Sequence, residues 1–308
     1  MPLQPPSFGS LQYWNNRFTS NSNPFEWLEA PTALDPYLVN ALKETGDQVP
    51  EILHIGCGTS LLSFHLRAHV EQPCQIHNLD YSEVAIDVGR RREIDIFDVE
   101  GIDEETIDES GSLSGEAQAK MARPVPQPGP EDTARSPFMR WSSANLLSHN
   151  SLLNACNPST YSVIVDKSTS DSIACADDIY VPLPYHIRTA GKTTPPHLTQ
   201  SSEPVHPLHI LAIHLAAVVK PKARWIALSY SQDRYPFLNR STTEGTASTS
   251  AVDSAIAELD GFADELDDDL DNIPREMVES GFPDPSILWT LKEKVGITTS
   301  LITVAVSF

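Results

Sequence analysis

The spacing of apolar residues changes several times along the chain, and each change marks an element. "EILHIGC" (51–57) is a continuous apolar run ending at a glycine turn, the pattern of a strand buried on both faces. "SLLSFHLRAHV" (60–70) then sets Leu61, Leu62, Phe64, Leu66 and Val70 near helical spacing. "QIHNLDYS" (75–82) reads as a second strand ending in an acid, and "SEVAIDVGRRRE" (82–93) as the helix that follows. Ser82 suits its N-cap, and Arg90 to Arg92 lie late on it, where the helix dipole favours positive charge. "FMRWSSANLL" (138–147) gives a short strand and turn, and "YSVIVDK" (161–167) a strand whose apolar run stops at Asp166. "HPLHILAIHLAAVV" (206–219) is expected to be an amphipathic helix and "ARWIALSYS" (223–231) a fifth strand. The tail, "ILWTLKEKV" followed by "ITTSLITVAVSF", gives two strands with a turn near Gly296. Ahead of all these, "YWNNRF" (13–18) and residues 24–42 carry aromatic and apolar residues at a helical rhythm and read as short helices capping the core.

Strands alternating with helices in one domain imply an α/β fold, a mostly parallel sheet with helices on both faces. The final strand pair adds an antiparallel C-terminal strand. Two stretches interrupt the pattern. Residues 99–137 are rich in Glu, Asp, Ser, Gly and Pro, and residues 240–272 close with "DELDDDLD". Both are expected to be disordered insertions, although Ile256, Leu259, Phe262 and Leu266 also allow a solvated helix in the second. Residues 189–205 read as a loop. The expected organisation is a loose tail at 1–12 and a single domain at 13–308.

Composition narrows the partners. The chain has 308 residues with 21 Lys and Arg against 42 Asp and Glu, a formal net charge of -21. Nucleic-acid binding rests on clustered Lys and Arg that displace counterions, so no nucleic-acid partner is expected; a basic protein partner fits better. Cys57, Cys74, Cys156 and Cys175 form no CxxC pair and no zinc-like spacing, which suits a reduced, cytoplasmic chain. The N-terminus carries no apolar secretory core, and no run approaches the roughly 18 apolar residues of a membrane span.

In sheets of this kind ligands bind at the carboxyl ends of the strands. Three strand ends carry chemistry here. Gly56-Cys57-Gly58-Thr59-Ser60 is a turn where the backbone can approach a ligand closely. Position 61 is Leu, which departs from the dinucleotide fingerprint, and no Gly-Lys-Ser/Thr follows, which departs from a phosphate loop. Asp80 ends the second strand, where an acid can accept both hydroxyls of a ribose. Asp166 and Lys167 end the fourth. Each feature alone also fits a plain turn, a cap or a strand-end ion pair. Together, in this order, they indicate a nucleoside pocket without a phosphate cradle, and S-adenosyl-L-methionine is the cofactor that fits. No metal site is expected: His206 and His209 have a compatible spacing but no third ligand, and Asp267 to Asp269 lack the glycine and terminal Glu of a calcium loop.

The stretches "YWNNRF", "EWL", "ILHIGCGTS", "NLDYS", "MRW", "VIVDKST" and "SYSQDR", spread over residues 13–234, resemble the block series of a class I methyltransferase family. That group methylates lysines, and in some members the N-terminus, of translation elongation factor 1 alpha. The resemblance implies a Rossmann-like, seven-stranded methyltransferase sheet and a protein-lysine N-methyltransferase acting on that factor or a similar protein. It also implies site roles. Trp14, Phe18 and Trp27 would lie over the cofactor, and Gly56, with Cys57 and Gly58 of the same turn, beside its methionine part. Asp80 would hold the ribose, and Tyr81 would flank the adenosine. Asn145 and Leu146 would frame the adenine, and Lys167 would line the methionine or acceptor side. Asn145 stands where the family often has Asp, and its amide oxygen still accepts a hydrogen bond. Asp166 is the candidate general base, although a structural strand-end acid is the better reading of it, and no base is assigned. A small-molecule methyltransferase and a catalytically weak cofactor-binding or protein-interaction module are the alternatives.

Overall fold

The computed structural model describes residues 6–97, 136–185, 198–231, 233–238, 273–297 and 300–307. Seven strands form one sheet: β1 (Ile52–Ile55), β2 (Ile76–Asp80), β3 (Arg140–Ser143), β4 (Tyr161–Lys167), β5 (Val219–Ser229), β6 (Trp289–Ile297) and β7 (Ser300–Ser307). Their order is β3-β2-β1-β4-β5-β7-β6. Strands β1 to β5 pair in parallel, and β7 lies antiparallel between β5 and β6. This is a Rossmann-like, seven-stranded, mostly parallel sheet with an antiparallel C-terminal strand. The helices are α1 (Leu11–Ser20), α2 (Asp35–Glu44), α3 (Leu62–Leu66), α4 (Glu83–Phe97), α5 (His149–Ala155), α6 (Thr169–Ile173), α7 (Pro207–Val218) and α8 (Arg275–Glu279).

The central strands are apolar without alternation because both their faces are covered. Successive side chains of a strand point to opposite faces. Leu53 and Ile55 of β1, Ile164 of β4, and Trp225 and Ala227 of β5 share one core with Leu208, Leu211, Ala212 and Leu215 of α7. Their neighbours Ile52, Val163, Val165, Ile226 and Leu228 point the other way, into a core with Leu38 of α2, Leu62 and Leu66 of α3 and Ile86 of α4. The site is thus built on strands held from both sides, with the parallel strands' carboxyl ends at one edge.

Helix α7 differs from the amphipathic helix expected. Ten of its twelve residues are buried, including His209 and His214. One side meets the sheet; on the other, Ile210 and Ile213 pack with Val181, Leu183, Val205, Met277 and Phe282. The covering layer includes a short ribbon pairing Pro182–Leu183 with Thr199–Gln200, so the stretch expected as a loop at 189–205 contributes a strand. Within the tail expected at 1–12, Phe8 packs its ring on Tyr13, Trp14 and Trp27, and α1 begins at Leu11. The insertions expected at 99–137 and 240–272 lie outside the described residues, apart from Ser136 and Pro137. Among the described residues no helix is long and apolar enough to cross a membrane.

Helix α4 packs on β3 through Gly89. A Cβ added there would lie 2.3 Å from Cζ3 of Trp141. That ring is buried and held by Nε1 donating to Oε2 of Glu93 at 2.7 Å. Helix propensity alone favours Ala over Gly by about 1 kcal/mol. Overpacking a fixed ring costs about 1–3 kcal/mol, so the clash dominates. Gly89→Ala is expected to lower the urea midpoint at unchanged slope; a raised midpoint would show that Trp141 gives way freely.

Candidate cofactor site

The turn after β1 is shaped by two left-handed glycines, Gly56 at φ +58° and Gly58 at φ +50°. Gly56 is also held by proximity: a Cβ there would fall 2.0 Å from Oγ1 of Thr169, whose hydroxyl donates to the Ile55 carbonyl at 2.8 Å. Cys57 N–H donates to the Leu79 carbonyl at 3.0 Å, tying the turn to β2. The backbone therefore passes bare along one wall of a cavity at the strands' carboxyl ends.

Asp80 closes β2 beside that turn. Its Oδ2 accepts from Gly58 N–H and its Oδ1 from Ser82 N–H, both at 2.8 Å. The side chain is buried, and burial pushes its carboxyl up to about 6 against the pull of those backbone donors. One lone pair on each oxygen stays available for a further donor. The Ser82 hydroxyl donates to Oδ1 of Asn15 at 2.6 Å, which fastens α1 to the start of α4.

The N-terminal segment roofs the cavity with aromatic rings. Trp14 stacks on Phe18 with centroids 5.6 Å apart, and its Nε1 donates to the Phe8 carbonyl at 2.7 Å. Phe25 lies against Trp27 and under the Arg17 guanidinium, 4.2 Å from the ring centroid. Between the two rings in sequence, Glu26 joins roof to floor. Its carboxylate accepts from the Ser60 hydroxyl at 2.9 Å and from Leu61 N–H at 2.6 Å, and pairs with the ammonium of buried Lys167. Arg92 adds a second tie, donating to the Thr59 carbonyl at 2.9 Å and the Ser22 carbonyl at 2.7 Å.

The opposite wall is the loop after β3. Asn145 Oδ1 accepts from Leu147 N–H at 2.9 Å, so part of its acceptor capacity holds its own turn. His214 of α7 donates from Nδ1 to the Leu146 carbonyl at 2.7 Å, and the Tyr185 hydroxyl donates to its Nε2 at 2.7 Å. Burial lowers His214 to about 4, which favours the neutral ring and fits this pair of bonds. His54 also borders the cavity and is likewise lowered to about 4 by burial.

All eleven residues named as cofactor contacts border this one cavity, although they come from α1, the roof, the glycine turn, β2, the β3 loop and β4. Asp166, the candidate base, does not. It is fully buried: Oδ1 accepts from Thr169 N–H and Ser170 N–H at 2.9 and 3.3 Å, and Oδ2 from the Ser170 and Tyr235 hydroxyls. It sits at the start of α6, its carboxylate turned to these donors. Sequence reasoning missed Glu26, Phe8 and Ser168. Glu26 lay inside the quoted "EWL", but nothing in its spacing showed that it reaches Lys167. Ser168 holds a left-handed φ of +63°, unusual for a residue with a Cβ. Its Oγ is buried at the cavity without a hydrogen-bond partner among the described residues. A strained backbone and an unsatisfied hydroxyl at one position are features of ligand sites.

Gly56→Ala combines left-handed strain of about 1–2 kcal/mol with the clash on Thr169. The variant is expected to unfold at clearly lower urea than the parent. An unchanged midpoint would mean that the turn is free to move away from α6.

No protein-family model matches the chain. Methyltransferase srdJ of Neurospora crassa is 29% identical over 173 residues, 56% of this chain and 57% of that relative. The match thus spans little more than half of the relative's length. Among solved structures, magnesium protoporphyrin IX methyltransferase of Synechocystis, with S-adenosyl-L-methionine bound, is 9% identical with a TM-score of 0.42 over 100% of both chains. The N-methyltransferase NodS of Bradyrhizobium japonicum, in complex with S-adenosyl-L-homocysteine, is 10% identical with a TM-score of 0.43 over 98% of this chain and 99% of that one.

Proposed function

We propose that this chain is an S-adenosyl-L-methionine-dependent methyltransferase. The observation that carries the reading is the cavity itself: a bare glycine turn and a buried carboxylate meet there beneath an aromatic roof. The residues present fit the cofactor. Asp80 has acceptor capacity for two ribose hydroxyls, Asn145 and Leu146 would frame the adenine, and Tyr81 would flank the adenosine. Gly56, Cys57 and Gly58 leave room for the methionine part, and the Ser168 hydroxyl, without a partner among the described residues, is there to meet a polar group. When bound, the cofactor supplies a methyl group on a positively charged sulfur. The chain's own part is to orient and to exclude water: Trp14, Phe18 and Trp27 close the roof, and the Glu26–Lys167 pair latches it to the floor.

The acceptor we propose is a protein lysine, in line with the resemblance to enzymes that modify translation elongation factor 1 alpha. The formal charge of -21 supports it, since an acidic surface attracts a basic substrate. A small-molecule acceptor is the second reading, supported by the largely aromatic enclosure of the cavity. Radiolabelled methyl transfer to protein and low-mass fractions of a cell lysate separates them. Label on protein lysines supports the first, label only in the low-mass fraction the second. Tight cofactor binding with label in neither leaves a binding module.

Asp80 supplies the sharper prediction. Asp80→Asn removes a charged acceptor and is expected to weaken the cofactor by about 10–100-fold in calorimetry. The ionised carboxylate is the form that receives the hydroxyls. Because burial sets the free group near 6, affinity is full well above pH 6, about halved at the pKa and falls further as the pH drops below it. The loss reaches at most about tenfold per pH unit for a single proton. A pH-independent affinity, or an unaltered Asn variant, would remove Asp80 from the ribose.

A further inference from the structure

We propose that Asp35, His65 and His69 form a binding site for one divalent ion of the zinc type, separate from the cofactor cavity. The carboxylate comes from the first residue of α2, one imidazole from α3, and the other from the short 3-10 turn that continues it. His65 and His69 are four residues apart, so their rings emerge on one side of the helical segment, with centroids 5.4 Å from each other. Both Nε2 atoms converge on the same oxygen, Oδ1 of Asp35, at 2.6 and 3.1 Å. All three donor atoms lie within 4.8 Å of one another. None of the three residues borders the cofactor cavity.

The geometry suits a small tetrahedral ion. Zinc takes imidazole nitrogen and carboxylate oxygen at about 2.0–2.2 Å, which places ligand atoms about 3.3 Å apart. The two nitrogen–oxygen separations here are already within about 1 Å of that value. Two imidazoles and one carboxylate select a borderline ion such as zinc over magnesium or calcium, which prefer all-oxygen shells. The side chains are 25%, 14% and 35% exposed for His65, His69 and Asp35. The site is therefore shielded, yet open enough to admit an ion and to leave a water as its fourth ligand.

The placement gives the ion a role. Helix α3 starts directly after the glycine turn, and α2 packs beside it over the same face of the sheet. An ion bridging Asp35 to His65 and His69 cross-links these helices and braces the segment that carries the turn. It takes no part in methyl transfer, so the proposal stands or falls independently of the function above.

The test uses the full chain without a polyhistidine tag, titrated with zinc against a chromophoric chelator. One ion is expected to bind with a dissociation constant of about 1 µM or tighter. Saturating zinc should raise the melting temperature by about 5 °C, reversibly with a chelator, whereas equal magnesium should not. His65→Asn with His69→Asn should weaken binding at least about a hundredfold and abolish the thermal shift. Should that variant fold poorly, cobalt added to the parent chain reports directly: a tetrahedral site gives intense visible absorption that zinc displaces. Absence of saturable one-to-one binding, zinc affinity unaltered in a folded double variant, or a purely octahedral cobalt spectrum overturns the proposal.

Discussion

The carboxylate of Asp80 is the constraint on which the site depends. It sits buried at the end of β2 and accepts one backbone N–H from the glycine turn and one from the start of α4. Burying it opposes ionisation, and the two donors only partly offset this, which leaves a group poised near 6. The same two bonds fix the turn against the sheet and set the direction of α4. Through Ser82 and Asn15 they also set the position of α1, and hence of the ring of Trp14. Remove the carboxylate and three elements lose their common anchor.

A second interaction closes what the first one opens. Glu26 binds the N-terminal end of the α3 segment and the ammonium of Lys167 at once. Lys167 is almost completely shielded, and a lone buried ammonium would be costly. The pairing makes the roof's position and the lysine's charge mutually dependent. The roof is thus more than apolar cover: it carries the counter-charge of a residue on the floor, so the two are expected to move together.

Much of this was legible in the sequence, for identifiable reasons. Strands β1 and β4 and the Trp225–Leu228 half of β5 are largely apolar on both faces, so their runs stand out without any partner being known. Asp80 and the glycine turn could be joined because parallel sheets place ligands at the carboxyl ends of strands. Helix α7 departs from the amphipathic pattern because its second apolar face is covered by the ribbon at Pro182–Leu183 and by α8, elements too short to announce themselves in sequence. The reach of Glu26 to Lys167 spans 141 positions, and no local pattern encodes it. The left-handed backbone of Ser168 is likewise invisible, since the residue type that usually marks such a conformation is absent there.

The central claim is that Asp80 and the glycine turn form the floor of an S-adenosyl-L-methionine site. The most direct measurement is a crystal structure of the chain grown with S-adenosyl-L-homocysteine at saturating concentration. The account predicts both ribose hydroxyl oxygens at about 2.5–3.0 Å from the two carboxylate oxygens of Asp80, with the adenine beside Asn145 and Leu146. A ligand seated elsewhere, or a ribose that does not touch Asp80, would contradict it.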